Sequence, residues 1–209
     1  MTDNRILYLE CASGISGDMT VAALLDLGAD EKKLRQALDS LQLDGAQVHI
    51  SRVKKSGLDA CDFAVELDPE HENHDHDMAY LHGTAPENMH MHNCGQDHDH
   101  HHTHDQEHHH DHDHHHTHDH PHVHRGLKEI TQIIERADLT DGARALALRM
   151  FDILADAEAK AHGVPRGEVH FHEVGAVDSI IDIVAAAVCL DDLAPARIIC
   201  SPLAEGCGT

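Results

Sequence analysis

The sequence predicts an α+β or α/β fold, in which a small mixed sheet is packed with helices and interrupted by a long disordered histidine-rich insertion. Short apolar runs typical of strands alternate along the chain with stretches of helical periodicity. Tryptophan is absent and aromatic residues make up 2% of the chain, so the core must consist of Leu, Ile, Val and Ala. Of the 26 histidines, 22 lie between His71 and His124.

The predicted domain organisation has three parts. Residues 1–67 are the N-terminal part of an α/β domain, residues 68–125 are the disordered His/Asp-rich metal-binding insertion, and residues 126–209 are the remainder of the same domain, ending before a second domain. No Lys or Arg occurs between Lys55 and Arg125. The insertion has too little apolar surface to offset the entropy of ordering it, because its histidines are accompanied mainly by polar and acidic residues.

The elements before the insertion follow from apolar runs and from helix-capping residues. Gly28 stops the first helix, Asp30 caps the second, and alternation from Cys61 to Leu67 indicates a half-buried strand. The predicted elements are a strand at 6–10, helices at 19–27 and 31–41, strands at 48–53 and 58–67, and a hairpin turn at 54–57 between these two strands.

After the insertion the pattern is mainly helical. Apolar residues from Leu127 to Ile134 have helical spacing, and Thr140 caps a longer helix that Gly163 ends near His162. The predicted inner face of the longer helix consists of Leu146, Met150, Ile153, Leu154 and Ala157. A further helix at 178–192 and a strand at 197–201 complete the prediction.

Charge and composition exclude several classes of function. The formal net charge of −23 argues against nucleic acid or an anionic membrane as partner. No apolar run approaches the length of a membrane span, and the first residues lack the features of a signal peptide. The six cysteines form no CxxC pair, which favours a reducing cytoplasm without disulfides.

The histidine-rich insertion predicts metal binding. Neutral imidazole binds nickel, zinc, copper and cobalt, and adjacent carboxylates add acceptors around the ion. A purification tag and a pH-responsive polyampholyte are the alternatives, although tags are normally terminal and uninterrupted. The candidate ligands are His98, His100, His101, His102, His104, His108, His109, His110, His112, His114, His115, His116, His118, His120, His122 and His124.

A second candidate site is the loop after the first strand. A strand, a small-residue loop and a helix N-terminus together expose backbone N–H groups that can bind an anion. The loop is neither a P-loop nor a dinucleotide-binding loop, since GxxxxGK[ST] and GxGxxG are both absent. A tight turn with Ser16 or Asp18 capping the helix is the structural alternative. The candidate binding residues are Ser13, Gly14, Ser16, Gly17 and Asp18.

A third candidate site lies where a predicted extended segment meets the helix at 178–192. His170 and His172 would project from one face of an extended strand, and Asp178 and Asp182 share one face of a helix. These residues with Glu173 could form a metal or acid–base site. Alternatively, Asp178 caps the helix and the histidines are partly buried structural residues.

Two of these stretches resemble a known family. The segment SGISGDM at 13–19, with LLDLG at 24–28, is similar to the opening of the nickel-insertion proteins of the nickel-pincer cofactor pathway, the LarC family. The segment HFHEVGAVDSIID at 170–182 is similar to that family's second signature, and a histidine-rich insertion between the two is also found in the family. Ala12 departs from the pattern, where a Cys-Phe-like pair is expected at 11–12.

The resemblance implies a cyclometallase, a lyase-type activity. Such a protein inserts Ni(II) into pyridinium-3,5-bisthiocarboxylate mononucleotide, forming the cofactor of lactate racemase and related enzymes. It uses CTP with a divalent metal, and the nucleotide site is attributed to a C-terminal domain, supplied as a separate chain or as an extended product. A homo-oligomer is also compatible with the resemblance.

Two competing functions remain from the sequence. A histidine-rich nickel storage protein or metallochaperone would bind metal without chemistry, and it would not require the HFHEVGAVD stretch. A nucleotide-driven metallochaperone of the GTPase type is disfavoured because the P-loop is absent.

Overall fold

The computed structural model describes residues 4–68, 125–169, 171 and 176–204. Within these ranges the chain forms four strands and five α-helices, with a short 3₁₀ turn at Arg166–Glu168. The elements in chain order are β1 (Ile6–Leu9), α1 (Gly17–Asp26), α2 (Glu31–Ser40), β2 (Ala46–Lys55), β3 (Leu58–Leu67), α3 (Leu127–Arg136), α4 (Asp141–His162), α5 (Val177–Leu193) and β4 (Arg197–Cys200).

The predicted α+β class is confirmed, and the described strands pair as two two-stranded sheets. β1 and β4 are parallel, with Leu9 opposite Cys200, whereas β2 and β3 form an antiparallel hairpin. Lys54 and Lys55 belong to β2, so the hairpin turn is tighter than predicted. The turn is made by Ser56 and Gly57, which both adopt positive φ, as the twist of a two-residue hairpin requires.

The core is built around α5. Nine residues of this helix are buried, among them Ile180, Val184 and Val188. The same hydrophobic cluster includes Leu34 of α2, Phe63 of β3 and Ile130 of α3. Residues on both sides of the histidine-rich segment therefore contribute to one core. This core is mainly aliphatic, as predicted, but it also contains Phe63, Phe151 and Phe171.

The predicted inner face of α4 is wrong. The buried residues are Ala143, Ala147, Phe151 and Ala155, whereas Ile153 is 54% exposed. Ala157 is also exposed, and Leu146, Met150 and Leu154 are only partly buried. The small residues allow α4 to approach its neighbours closely, and Phe151 packs edge to face on Phe171 with ring centroids 6.1 Å apart.

The capping residues confirm most helix boundaries. The Asp30 side chain accepts hydrogen bonds from the backbone N–H groups of Lys32 and Lys33, and Thr140 Oγ1 accepts one from Ala143. Gly163 ends α4 in the left-handed conformation. Asp178 is not the cap of α5, since the N-cap is Ala176 and the Asp178 carboxylate accepts a hydrogen bond from the Ser179 N–H at 2.8 Å.

Arg144 closes the connection between α3 and α4. Its guanidinium donates hydrogen bonds to the carbonyl oxygens of Ile134 and Glu135, both at 2.6 Å, and of Ala137 and Leu139, at 2.9 and 3.1 Å. The carbonyls of Ile134, Glu135 and Ala137 lie at the end of α3, where they lack helical partners, and that of Leu139 lies just before α4. A single side chain thus donates to four backbone carbonyls of the connection.

We expect Arg144→Ala to lower the free energy of unfolding by about 1–2 kcal/mol, because it leaves partly buried carbonyls without donors. Urea unfolding followed by circular dichroism measures this loss. Arg149→Ala is the matched control, since Arg149 is an exposed arginine of the same helix. Equal losses in the two variants would contradict a special role for the Arg144 guanidinium.

No helix in the described ranges is long and apolar enough to cross a membrane.

The β1–β4 pair exposes apolar side chains, since Ile6, Tyr8 and Ile198 are 46–58% exposed. Parallel strands are usually covered on both faces. This strand pair therefore has apolar surface that the described residues leave uncovered.

Candidate functional site

The candidate site lies at the carboxyl ends of β1 and β4. The Cys11 N–H donates a hydrogen bond to Ser201 Oγ at 2.8 Å, and the Ala204 N–H donates one to the Cys11 carbonyl at 3.2 Å. The loops that follow the two strands are therefore joined. The carboxyl ends of parallel strands are where ligands bind in many α/β proteins.

The loop between β1 and α1 contains the first set of predicted residues. Gly14 has a φ of +85°, and its N–H donates to the Cys11 carbonyl at 3.1 Å. This tight turn directs the chain from the strand end into α1. Glycine suits this position because other residues rarely adopt a left-handed φ.

Helix α1 begins at Gly17, two residues before the predicted start. Ser16 is the N-cap, but its side chain makes no capping hydrogen bond; the hydroxyl donates instead to the Asp18 carboxylate. Thr20 Oγ1 donates to the Ser16 carbonyl at 2.7 Å. The N–H groups at this helix end therefore remain available to another acceptor.

That acceptor is Asp182 of α5. Its carboxylate accepts a hydrogen bond from the Asp18 backbone N–H, so it lies at the positive end of α1. A Cβ atom added to Gly17 would be 2.3 Å from Asp182 Oδ2. Glycine at residue 17 thus permits the close contact between α1 and the carboxylate.

Burial, assisted by the nearby carboxylates of Asp18 and Asp178, raises the pKa of Asp182 to about 6. The hydrogen bond from Asp18 N–H acts in the opposite direction. Asp182 Oδ1 is buried and has no hydrogen-bond partner among the described residues. The group is therefore a carboxyl that exchanges its proton near neutral pH and has one oxygen unused.

This arrangement constrains the anion site predicted at 13–18. The helix N-terminus that was expected to face a phosphate already faces the Asp182 carboxylate. Asp18 and Asp178 add negative charge nearby, and like charges repel an incoming anion. A phosphate group at this end of α1 would require a bound cation or a protonated Asp182.

The structure brings together part of the third predicted site. Asp178 and Asp182 lie on α5 close to Asp18, and Phe171 is buried against α4. His170, His172 and Glu173 lie outside the described residues. Among the described residues, no three His, Cys, Asp or Glu side chains are arranged to hold a metal ion.

The sixteen candidate histidine ligands from His98 to His124 also lie outside the described residues. Their predicted role in metal binding therefore remains a prediction. Of the candidate site, the structure describes the ends of β1 and β4 and the first turns of α1 and α5.

Sequence reasoning missed the residues at the ends of the strands. Cys11 and Cys200 approach each other, with 3.6 Å between their Sγ atoms. The signal was available: Cys11 directly follows the strand predicted at 6–10, and Cys200 lies near the end of the strand predicted at 197–201. Pairing of β1 with β4 was the missing information.

Comparisons with known proteins were made for the whole chain. The family model described as nickel insertion protein matches residues 7–209. No solved structure matches the chain.

Three of the relatives carry the name pyridinium-3,5-bisthiocarboxylic acid mononucleotide nickel insertion protein. The relative from Alkaliphilus metalliredigens is 48% identical over 97% of this chain and 40% of its own length. Those from Clostridium acetobutylicum and Geobacillus kaustophilus are 45% and 36% identical over 98% of this chain and over 44% and 40% of their own lengths. The chain thus spans about two fifths of the length of these relatives, and with its match to the family model it belongs to the nickel insertion protein family.

Proposed function

We propose that this chain is the nickel-binding N-terminal part of a CTP-dependent nickel insertase. It would deliver Ni(II) to pyridinium-3,5-bisthiocarboxylate mononucleotide in the cytoplasm, forming the nickel-pincer cofactor of lactate racemase-type enzymes. The observation that carries the proposal is the Asp182 carboxyl, which is held at the N-terminus of α1 and has a pKa raised to about 6. This observation lies within the residues that match the family model.

The chemistry requires a base beside the metal. Forming a carbon–nickel bond at the pyridinium ring replaces a ring proton, and a general base is most effective when its pKa is near the working pH. Asp182 meets that condition, and its carboxylate would accept the proton. In this proposal Asp182 is the proton acceptor of the insertion step.

The remaining candidate residues would hold the ion and the substrate. His170, His172, Glu173 and Asp178 would relay or hold Ni(II) next to Asp182, since imidazole and carboxylate are suitable nickel ligands. The loop at 13–18 would bind the phosphate of the mononucleotide through free backbone N–H groups. The cation would offset the repulsion between that phosphate and the three aspartates.

The histidine-rich segment would raise the local nickel concentration. Tethering a weak multivalent binder next to a site makes capture effectively intramolecular, without a fixed coordination geometry. Because the segment supplies ions and not chemistry, its loss should be compensated by free nickel. Such compensation by free nickel would distinguish nickel insertion from simple nickel storage.

The relatives contain a further part that this chain does not span, and in this proposal that part completes the nickel insertase. We assign to it the site for CTP and a divalent metal. We also propose that this further part covers the β1–β4 surface. The exposed side chains of Ile6, Tyr8 and Ile198 support this, because parallel strands are rarely left uncovered. It would be supplied either as a separate chain or as an extension of this one.

Deletion of residues 71–124 tests the role of the segment. Insertion is measured with CTP and the complementary part of the Alkaliphilus relative, at a series of nickel concentrations. We expect the deletion variant to reach the same maximal rate as the parent but to need more nickel. Loss of insertion at every nickel concentration, in a variant that remains folded by circular dichroism, would contradict this division of roles.

A storage or metallochaperone function is the second candidate. The abundance of histidine favours it, since 22 of the 26 histidines lie in one segment. It predicts nickel binding that is unaffected by Asp182 and no insertion with any partner. The deletion experiment therefore distinguishes the two functions.

A further inference from the structure

Cys11 and Cys200 form a thiol pair at the end of the parallel strands. Their Sγ atoms are 3.6 Å apart, and neither cysteine is part of a disulfide. Cys11 is buried and Cys200 is exposed. The pair therefore joins the interior to the surface at the edge of the candidate site.

The separation of the two sulfurs fits metal coordination. Two thiolates bound to one tetrahedral ion at about 2.3 Å are about 3.8 Å apart, close to the observed distance. A disulfide requires about 2.05 Å, so the sulfurs would have to approach by more than 1 Å. The native geometry is nearer to a metal chelate than to a disulfide.

The backbone around the pair is fixed before any ion binds. The Cys11 N–H donates to Ser201 Oγ and its carbonyl accepts from Gly14 and Ala204. The Ser201 N–H donates to the Leu9 carbonyl at 2.9 Å. These bonds hold both strand ends in place, which reduces the entropy lost on binding.

We propose that Cys11 and Cys200 form a two-thiolate binding site for a divalent transition metal ion such as nickel or zinc. Binding forms two metal–sulfur bonds and releases two protons, one from each thiol, with no change in oxidation state. Because no third protein ligand is arranged around the pair in the described ranges, water or a substrate would fill the other positions. The metal site does not depend on the proposed insertion activity, although open positions suit an ion that is passed on.

Titration of the full, reduced chain with Ni(II), and separately with Co(II), tests the proposal. Thiolate-to-metal charge-transfer absorption is the readout, because imidazole and carboxylate ligands do not produce it. The histidine-rich segment contains one thiol, Cys94, and the Cys94→Ser variant tests for a contribution from it. We expect a band whose final intensity corresponds to one two-thiolate ion per chain, reached when the histidine-rich segment has also taken up metal. Cys200→Ser and Cys11→Ser should each reduce its intensity at least tenfold.

Single serine variants of Cys61, Cys94, Cys189 and Cys207 are the matched controls and should keep the band. Because Cys11 is buried, circular dichroism is used to check that the Cys11→Ser variant folds. If that variant does not fold, Cys200→Ser is the decisive variant, because Cys200 is exposed. A band that survives Cys200→Ser, or no band in the reduced parent, would overturn the proposal. So would a chain that remains two hydrogen masses lighter after a chelator has removed the metal under denaturing conditions, because that loss would indicate a disulfide formed by dissolved oxygen and not a metal complex. This experiment measures metal binding and not nickel insertion. Its result therefore holds whether or not the proposed insertion activity is found.

Discussion

Asp182→Asn is expected to reduce nickel insertion by a factor of about 100 or more while it stabilises the folded chain at pH 7. A general base contributes about 10²–10⁴ to a rate, and an amide cannot accept the proton. The substitution keeps the shape of the side chain and an oxygen acceptor for the Asp18 N–H. The loss of activity would therefore come from the lost proton acceptor and not from a lost contact.

The sign of the stability change follows from the raised pKa. Asp182 has a pKa of about 6 in the folded chain against an ordinary value of 3.8, so the folded state binds the proton more tightly than the unfolded state does. Stability therefore falls as the pH rises from about 4 to about 6. At pH 7 the charged carboxylate is a cost that asparagine removes.

The expected gain at pH 7 is about 1–2 kcal/mol, after allowance for solvent screening of this partly exposed group. It should disappear below about pH 4, where the carboxyl is protonated in both states. Urea unfolding of the variant and the parent at each pH measures the difference between their free energies of unfolding. Both proteins contain the same histidines, so the contribution of the histidines to this difference cancels. An unchanged difference between pH 4 and pH 7 would contradict the raised pKa.

Asp192 provides a matched control on the same helix. Its carboxylate accepts hydrogen bonds from Lys33 Nζ at 2.5 Å and from the Asp30 N–H at 2.8 Å, and these partners lower its pKa. Stability from Asp192 is present above the ordinary pKa and is lost as the pH falls through the lowered value. Asp192→Asn should therefore destabilise the chain at pH 7 and leave the insertion chemistry intact.

Gly17→Ala is expected to lower the free energy of unfolding by about 2–3 kcal/mol through overpacking. The new Cβ would lie 2.3 Å from Asp182 Oδ2 and 2.6 Å from Asp182 Cβ. This contact cannot be relieved at the far end of the side chain alone, so α1 or α5 must shift. The higher helix propensity of alanine offsets only up to about 1 kcal/mol of this loss in the free energy of unfolding.

A double-mutant cycle with Asp182→Gly isolates the contact, because glycine removes both the carboxylate and the Cβ atom that face residue 17. The cost of Gly17→Ala should fall by at least about 1 kcal/mol when the carboxylate is absent. Gly167→Ala is the control, since a Cβ there would meet nothing within 4 Å, and it should change stability by less than about 0.5 kcal/mol. Strict additivity of the Gly17 and Asp182 changes would show that the two residues do not touch.

Local signals predicted much of the fold. Asp30, Thr140 and Gly163 mark helix ends in the sequence and do so in the structure, because capping depends on residues within one turn. The strand alternation around Phe63 was also readable, since one face of β3 is buried. These features depend on few neighbours, which is why sequence sufficed.

The remaining features depend on partners that are distant in sequence. The buried face of α4 carries alanines and Phe151, because close approach of a neighbouring helix outweighs the hydrophobicity of Ile153. The contact of Gly17 with Asp182 and the approach of Cys11 to Cys200 each join residues more than 160 positions apart. The sequence placed Asp182 in a candidate site, but its position at the N-terminus of α1 required the fold.

The most direct test of the proposed function is nickel insertion into pyridinium-3,5-bisthiocarboxylate mononucleotide with CTP. It is measured with this chain alone, with the complementary part of the Alkaliphilus relative alone, and with both together. We predict the nickel-containing product only when both are present, because the proposed function assigns the nickel-handling residues and the CTP site to different parts. Insertion at the full rate by the complementary part alone would show that this chain has no role in the chemistry.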